Sequence, residues 1–228
     1  MKLAKSIGRL GTETAFEVLA KAKKLEAQGK DIVHLEIGEP DFETPEHIKE
    51  AAKKALDDNF THYVPSPGLM EVREVIAEHQ SDVHNKNISP ENVVFTPGAK
   101  PIMFFTIMAL IEPGDEVIYP NPGFPIYESM INYVGGKAVP MELKEEKEFN
   151  ADVDLIEQSI TDKTKLIILN SPNNPCGSVM EPSDIKKVAD IAKEKDIVIL
   201  TDEVYKDLYF EGSHNSVYDY DGMEENVV

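Results

Sequence analysis

The sequence predicts an α/β fold, a mostly parallel, mixed sheet with helices on both faces. Three observations predict it. Short runs that are apolar on both sides, Val117–Tyr119, Leu166–Leu169 and Ile197–Leu200, read as buried strands. Amphipathic stretches separate them: in Ser183–Lys195, Ile185, Val188, Ala189 and Ala192 share one helical face. Clusters of Gly, Pro and Asn follow the apolar runs and punctuate the chain. Strands alternating with helices are the pattern of a parallel sheet covered on both sides.

In chain order, Glu13–Gln28 reads as a helix that Gly29 stops. Ile32–Ile37 reads as a short strand cut by Gly38. Thr44-Pro45-Glu46 has the signature of a helix start, with Thr44 as N-cap, Pro45 first in the helix and an acid in the first turn. That helix runs to about Leu56, and another spans about Leu69–His79. Val93–Thr96 reads as a strand that Pro97-Gly98 breaks, before a helix-like apolar run to Ile111. Pro113-Gly114-Asp115 is a turn leading into Val117. Phe124–Tyr133 fits a helix ended by Gly135-Gly136, and Lys144–Glu148 is a solvated charge run. Met223–Val228 reads as a turn entering one more apolar run, so the chain is expected to be a fragment of a longer protein.

The chain has 228 residues and a net charge of −19, from 23 Lys plus Arg against 42 Asp plus Glu. So acidic a surface repels phosphate backbones and argues against a broad nucleic-acid interface. No apolar run approaches the length of a membrane span, and the N-terminus lacks the apolar core of a secretory signal. A cytoplasmic protein without a membrane partner is the expectation. The single cysteine, Cys176, excludes an internal disulfide and any multi-cysteine metal site. No histidine lies in its loop to activate it, so Cys176 reads as a small packing residue. None of the six histidines has metal-ligand spacing, and no metal is expected.

Ligands of parallel sheets bind at the carboxyl ends of the strands. The loops after Thr96, Tyr119, Leu169 and Leu200 are therefore the candidates. Thr96-Pro97-Gly98-Ala99-Lys100 opens a helix whose amides would hold an anion, although a glycine there also serves the backbone alone. Phe124, after Asn121-Pro122-Gly123, is either a flat wall for a planar ligand or a core phenylalanine. Asn170–Gly177 is a rigid polar loop, or a plain turn. Thr201-Asp202-Glu203-Val204-Tyr205 ends a buried strand in acids, and a cationic ring nitrogen would suit a carboxylate there. A triphosphatase would need a G-x-x-x-x-G-K-[ST] loop and a nicotinamide enzyme a G-x-G-x-x-G; neither occurs.

Taken in order, Gly38-Glu39-Pro40-Asp41-Phe42 with Thr44-Pro45, Tyr63–Gly68, Pro97–Lys100, Pro113–Val117, Asn170–Gly177 and Thr201–Tyr205 resemble one family over essentially the whole chain. The chain is similar to the class I/II aminotransferases of the aspartate aminotransferase superfamily, fold-type I, which depend on pyridoxal phosphate. The resemblance implies an N-terminal arm and the start of a small domain over residues 1–45. It implies a cofactor domain over 46–228, incomplete, with its C-terminal part and the small domain missing.

The resemblance also implies roles. Asp202 would pair with the pyridine nitrogen and Tyr205 with the ring's phenolic oxygen. Asn174 would contact that oxygen and the substrate carboxylate, and Phe124 would stack on the ring. Gly98, Ala99 and Lys100 would hold the phosphate, and Gly38 would meet the substrate's α-carboxylate. Tyr63 would reach the phosphate of a neighbouring subunit, so a homodimer is implied. The family's Schiff-base lysine is expected after Val228, as is an arginine that grips the substrate carboxylate; the 228 residues alone are expected to be inactive. Cys176 stands where the family loop carries threonine. The implied activity is transfer of an amino group between an L-amino acid and a 2-oxo acid; the donor stays open among aspartate, alanine, aromatic and branched-chain amino acids, with the aspartate type as the named candidate. A C–S β-lyase or synthase on the same scaffold, or a non-catalytic cofactor-sensing domain, are the alternatives.

Overall fold

The computed structural model describes residues 2–11, 14–211 and 214–228. Its main elements, in chain order, are α1 (Thr14–Glu26), α2 (Glu46–Asp57), α3 (Met70–His84), α4 (Lys100–Leu110), β1 (Glu116–Asn121), α5 (Ile126–Val134), β2 (Lys137–Glu142), α6 (Val153–Ser159), β3 (Thr164–Asn170), α7 (Pro182–Lys195) and β4 (Val198–Asp202). Two compact units contain them: residues 1–12, 78–88 and 96–228, and residues 13–77 with 89–95.

The larger unit holds a sheet of order β2-β1-β3-β4. Every neighbouring pair runs parallel. Alternate residues of each strand face opposite sides, and both sides are covered. Val117, Tyr119, Leu166, Ile168 and Leu200 share a core with Met103 and Ile107 of α4 and with Tyr127 and Ile131 of α5. Ile118, Ile167, Leu169 and Ile199 share the other core with Val153 and Ile156 of α6 and with Ile185, Val188 and Ala192 of α7. Each fully buried aliphatic side chain contributes about 1.5–3 kcal/mol, which is what holds these helices down. The β1–α5–β2 connection covers one face and β3–α7–β4 the other, so the chain switches direction between β1 and β3. Beside β4, the amides of Ile199 and Thr201 donate to the carbonyls of Asn226 and Val228 (2.7 and 2.9 Å), and Val227 bridges Ile199 in parallel. The expected apolar run at Val227-Val228 is thus paired with the sheet.

The smaller unit is helical. Arg73, buried in α3, donates to the carbonyls of Val93 (2.8 Å) and Pro90 (2.7 Å) and ties the 89–95 segment to the helix. The Phe95 amide donates to the Pro67 carbonyl (2.8 Å). Gly68 sits at φ +108° with Phe95 against it, a place only glycine occupies without strain.

Several local expectations need correction. Ile32–Ile37 is not a strand: the backbone has no ladder partner among the described residues, and Val33 and Leu35 are exposed. Val93–Thr96 is not one either; its bonds go to Arg73 and Pro67 instead of to a sheet. Thr44 does not cap α2: Pro45 takes that position, in an extended conformation, without a side-chain cap. The helix expected to end near His79 continues to His84. Two elements went unforeseen. β2 is an edge strand that carries Pro140 within its unbroken register, and α6 has only 7 residues, capped by the Asp152 side chain on the Asp154 amide (3.2 Å). Glu13, the first residue of the expected first helix, lies outside the described residues.

Candidate functional site

A cavity of about 340 Å³ opens at the carboxyl ends of β1, β3 and β4, where the sheet's connections change direction. Gly98 and Ala99 line it from the turn into α4, Lys100 and Met103 from α4, Phe124 from the loop before α5, Asn174 from the loop after β3, Asp202 from the end of β4 and Tyr205 from the segment after it. Seven sequence-predicted site residues therefore meet in one space. Gly38 and Tyr63 belong to the smaller unit, where both are exposed.

Each wall has a local cause. Gly98 adopts φ +91°, which turns the chain into α4. The Thr96 hydroxyl donates to the Gly98 carbonyl across that turn (2.7 Å). At the start of α4, Ala99 supplies no side-chain cap, and the positive end of the helix faces the cavity. Lys100 Nζ stands 5.7 Å from the centre of the Phe124 ring. Phe124 is also held edge-on by the Tyr127 ring, one turn later, with centroids 5.9 Å apart.

Asp202 is fixed from three directions. The Tyr127 hydroxyl donates to its Oδ2 (2.6 Å), and the Val204 amide donates to Oδ1 (3.3 Å). Its backbone carbonyl accepts from Asn170 Nδ2 (2.9 Å). Tyr127 is fully buried; burial first, and the facing Asp202 carboxylate second, push its phenol far above the ordinary value. At neutral pH Tyr127 is therefore the donor.

Asn170 links two walls. Its Oδ1 accepts the Asn174 amide (2.7 Å), while its Nδ2 reaches the carbonyls of Asp202 and Pro172. Asn173 secures the rest of the loop, with Oδ1 accepting the Cys176 amide (3.1 Å). Cys176 packs against the core, and burial pushes its thiol upward, as expected of a packing residue. Beside Asp202, the Glu203 carboxylate accepts from Ser216 Oγ (2.6 Å) and Thr201 Oγ1 (3.0 Å) and lies 3.1 Å from His214 Nε2. Burial works against its charge, but the bonds from His214, Ser216 and Thr201 prevail and hold it below the usual carboxylate value.

Sequence reasoning missed Tyr127, Asn170 as a bridge, and Glu203 with His214. Tyr127 carries the core pattern of α5, and nothing in that pattern says that its hydroxyl meets Asp202. The i,i+3 spacing from Phe124 was the available signal.

The donor set fits pyridoxal phosphate. A helix start suits a phosphate, an aromatic ring suits a planar heterocycle, a carboxylate suits a protonated ring nitrogen, and a phenol with an amide suits a ring oxygen. No group of histidines, cysteines and acids among the described residues could hold a metal. No helix of the described residues is long and apolar enough to cross a membrane.

The model of the family described as aminotransferase class I and II matches residues 30–227. A probable aspartate aminotransferase of Methanocaldococcus jannaschii is 45% identical over 186 residues, 82% of this chain and 49% of that protein. A probable aspartate/prephenate aminotransferase of Aquifex aeolicus is 40% identical over 204 residues, 90% of this chain and 52% of that protein. A solved aspartate aminotransferase of Thermus thermophilus with maleate superposes with a TM-score of 0.95 at 36% identity, over 100% of this chain and 59% of that one. The chain thus spans about half the length of the curated relatives it matches. With six motifs in order, three of them lining one cavity, and a family match over residues 30–227, the chain belongs to the pyridoxal-phosphate-dependent class I and II aminotransferases.

Proposed function

We propose that the whole protein transfers an amino group between an L-amino acid and a 2-oxo acid, with aspartate as the donor type. The observation that carries this reading is the joint lining of one cavity by Asp202, Tyr205, Asn174, Phe124 and the start of α4. When bound, pyridoxal phosphate supplies the electron sink that makes exchange of the amino group feasible. The chain's residues bind and orient it. The first amides of α4 and Lys100 take the phosphate, and Phe124 forms one wall for the ring. The Asp202 carboxylate holds the ring nitrogen in its protonated form. Tyr205 and Asn174 bond the ring oxygen, and Asn174 takes the substrate's carboxylate; for Gly38 the family resemblance implies a carboxylate contact.

The division into an arm over 1–45 and a cofactor domain over 46–228 is part of this proposal, as are a cytoplasmic location and a homodimer in which Tyr63 serves the neighbouring site. The apolar stripe of α4 at Ile102, Phe105 and Met108, on the side away from its core, supports a second copy as the cover. The test is an assay of the whole protein with L-aspartate and 2-oxoglutarate, following oxaloacetate and glutamate. Formation of both supports the reading. Pyruvate or ammonia from a β-substituted amino acid, without amino transfer, would replace it with a lyase, and binding without turnover would replace it with a sensing domain.

A further inference from the structure

Asp202 is placed by the end of β4, but its carboxylate could still rotate unless something holds it. Tyr127 does. It lies in the first turn of α5, three residues after Phe124, and its amide bonds the Phe124 carbonyl at 3.1 Å. One turn of helix therefore carries both the aromatic wall and the partner of the acid. The Tyr127 side chain is fully buried, its ring edge-on to Phe124 and its hydroxyl 2.6 Å from Asp202 Oδ2.

We propose that Tyr127 is a positioning residue that orients the Asp202 carboxylate toward a cationic ring N–H in the cavity. The assignment rests on reading the cavity as a pyridoxal-phosphate site. The physical grounds are three. A carboxylate offers about four lone-pair directions. Tyr127 and the Val204 amide occupy one on each oxygen, which fixes the carboxylate plane and leaves capacity for a further donor. Hydrogen bonds to an ionised group are short and about twice as strong as neutral ones, and the Tyr127 bond has that length. Asp202 also lines the cavity, so the capacity left on its carboxylate lies beside the space a ring would fill. Asn170, at the carbonyl of the same residue, fixes the backbone but does not touch the carboxylate.

Tyr127→Phe removes one oxygen and keeps the buried ring, so the variant tests the bond and not the packing. The measurement is equilibrium binding to the whole protein, stripped of cofactor, of two probes. One is pyridoxamine phosphate, which forms no covalent bond to a lysine. The other is its analogue with the ring nitrogen replaced by carbon, which offers Asp202 nothing to hold. If Tyr127 acts through Asp202, Tyr127→Phe weakens pyridoxamine phosphate about tenfold or more and leaves the deaza analogue within about twofold. A purely structural role weakens both probes alike, and that result overturns the proposal, as does no loss for either. Tyr127→His, which restores a donor, should recover part of the affinity for pyridoxamine phosphate only. The two levels of inference fail differently. If the unsubstituted protein binds neither probe, the cofactor reading itself falls; if it binds pyridoxamine phosphate and the hydroxyl makes no difference, only the role of Tyr127 falls.

Discussion

At position 123, contact rather than backbone conformation demands glycine. A Cβ there would stand 2.2 Å from the Pro120 carbonyl oxygen, so alanine forces the turn after β1 to open. Phe124 is the next residue, and the wall it forms moves with the turn. Gly123→Ala is expected to cost about 1–3 kcal/mol of stability and to weaken binding of pyridoxamine phosphate, read by denaturant unfolding and by titration. A variant with unchanged midpoint and affinity would mean that the turn relaxes freely. Asn170→Ala acts differently. It strips the acceptor from the Asn174 amide and a donor from the Asp202 carbonyl, so about 1–3 kcal/mol is lost while the loop after β3 separates from β4. A loss of stability with unaltered binding would confine Asn170 to a folding role. Residues of this kind differ in how far a sequence exposes them. Asp202 is legible because an acid ending a buried strand is anomalous by itself. Tyr127 and Asn170 are not, because their importance lies in which atoms they meet 75 and 32 positions later.

Elements were legible where burial dictates pattern. β3 and β4 are apolar runs because both faces are covered, and α7 is amphipathic because only one of its faces meets the sheet. The pattern misleads where apolar residues are not in a sheet at all. Ile32–Ile37 and Val93–Thr96 have strand composition without a strand beside them, and composition says nothing of partners. β2 failed in the other direction, since an edge position tolerates Pro140 and a half-exposed face. The segment after β4 makes a prediction of its own. Glu203 is fastened to Thr201, His214 and Ser216 and has a lowered pKa. A carboxylate lowered in the folded state stabilises it fully above the unfolded value of 4.5, and that stability fades as pH falls through the lower folded value. Melting temperatures from pH 7 to pH 3 should therefore fall more steeply below about pH 4.5 in the unsubstituted protein than in Glu203→Gln. The variant, holding an amide among donors, should melt lower at neutral pH. Parallel curves would show that the fastening carries no weight.

For the molecule as a whole, the site is the meeting point of distant chain segments. Its walls run from Gly98 to Tyr205, so the cavity exists only when α4, the turn into α5 and the ends of β3 and β4 are all in register. The unfolded chain has no such arrangement and binds the ligand negligibly. A ligand of the folded state alone then stabilises by RT ln(1 + [L]/Kd), about 2.7 kcal/mol at a hundredfold excess over Kd. At about 2–4 °C per kcal/mol for a body of this size, pyridoxamine phosphate at that excess should raise the melting temperature by about 5–10 °C. The increments separate the contributions. Inorganic phosphate at the same concentration engages only the start of α4 and should give a small fraction of the rise. Tyr127→Phe, with Kd about tenfold higher, leaves only a tenfold excess at the same concentration and should lose about half of it. A phosphate shift equal to that of pyridoxamine phosphate would mean that the helix start alone binds. The ring contacts of Phe124, Asp202 and Tyr205 would then contribute nothing, and the cofactor reading of the cavity would fail with them.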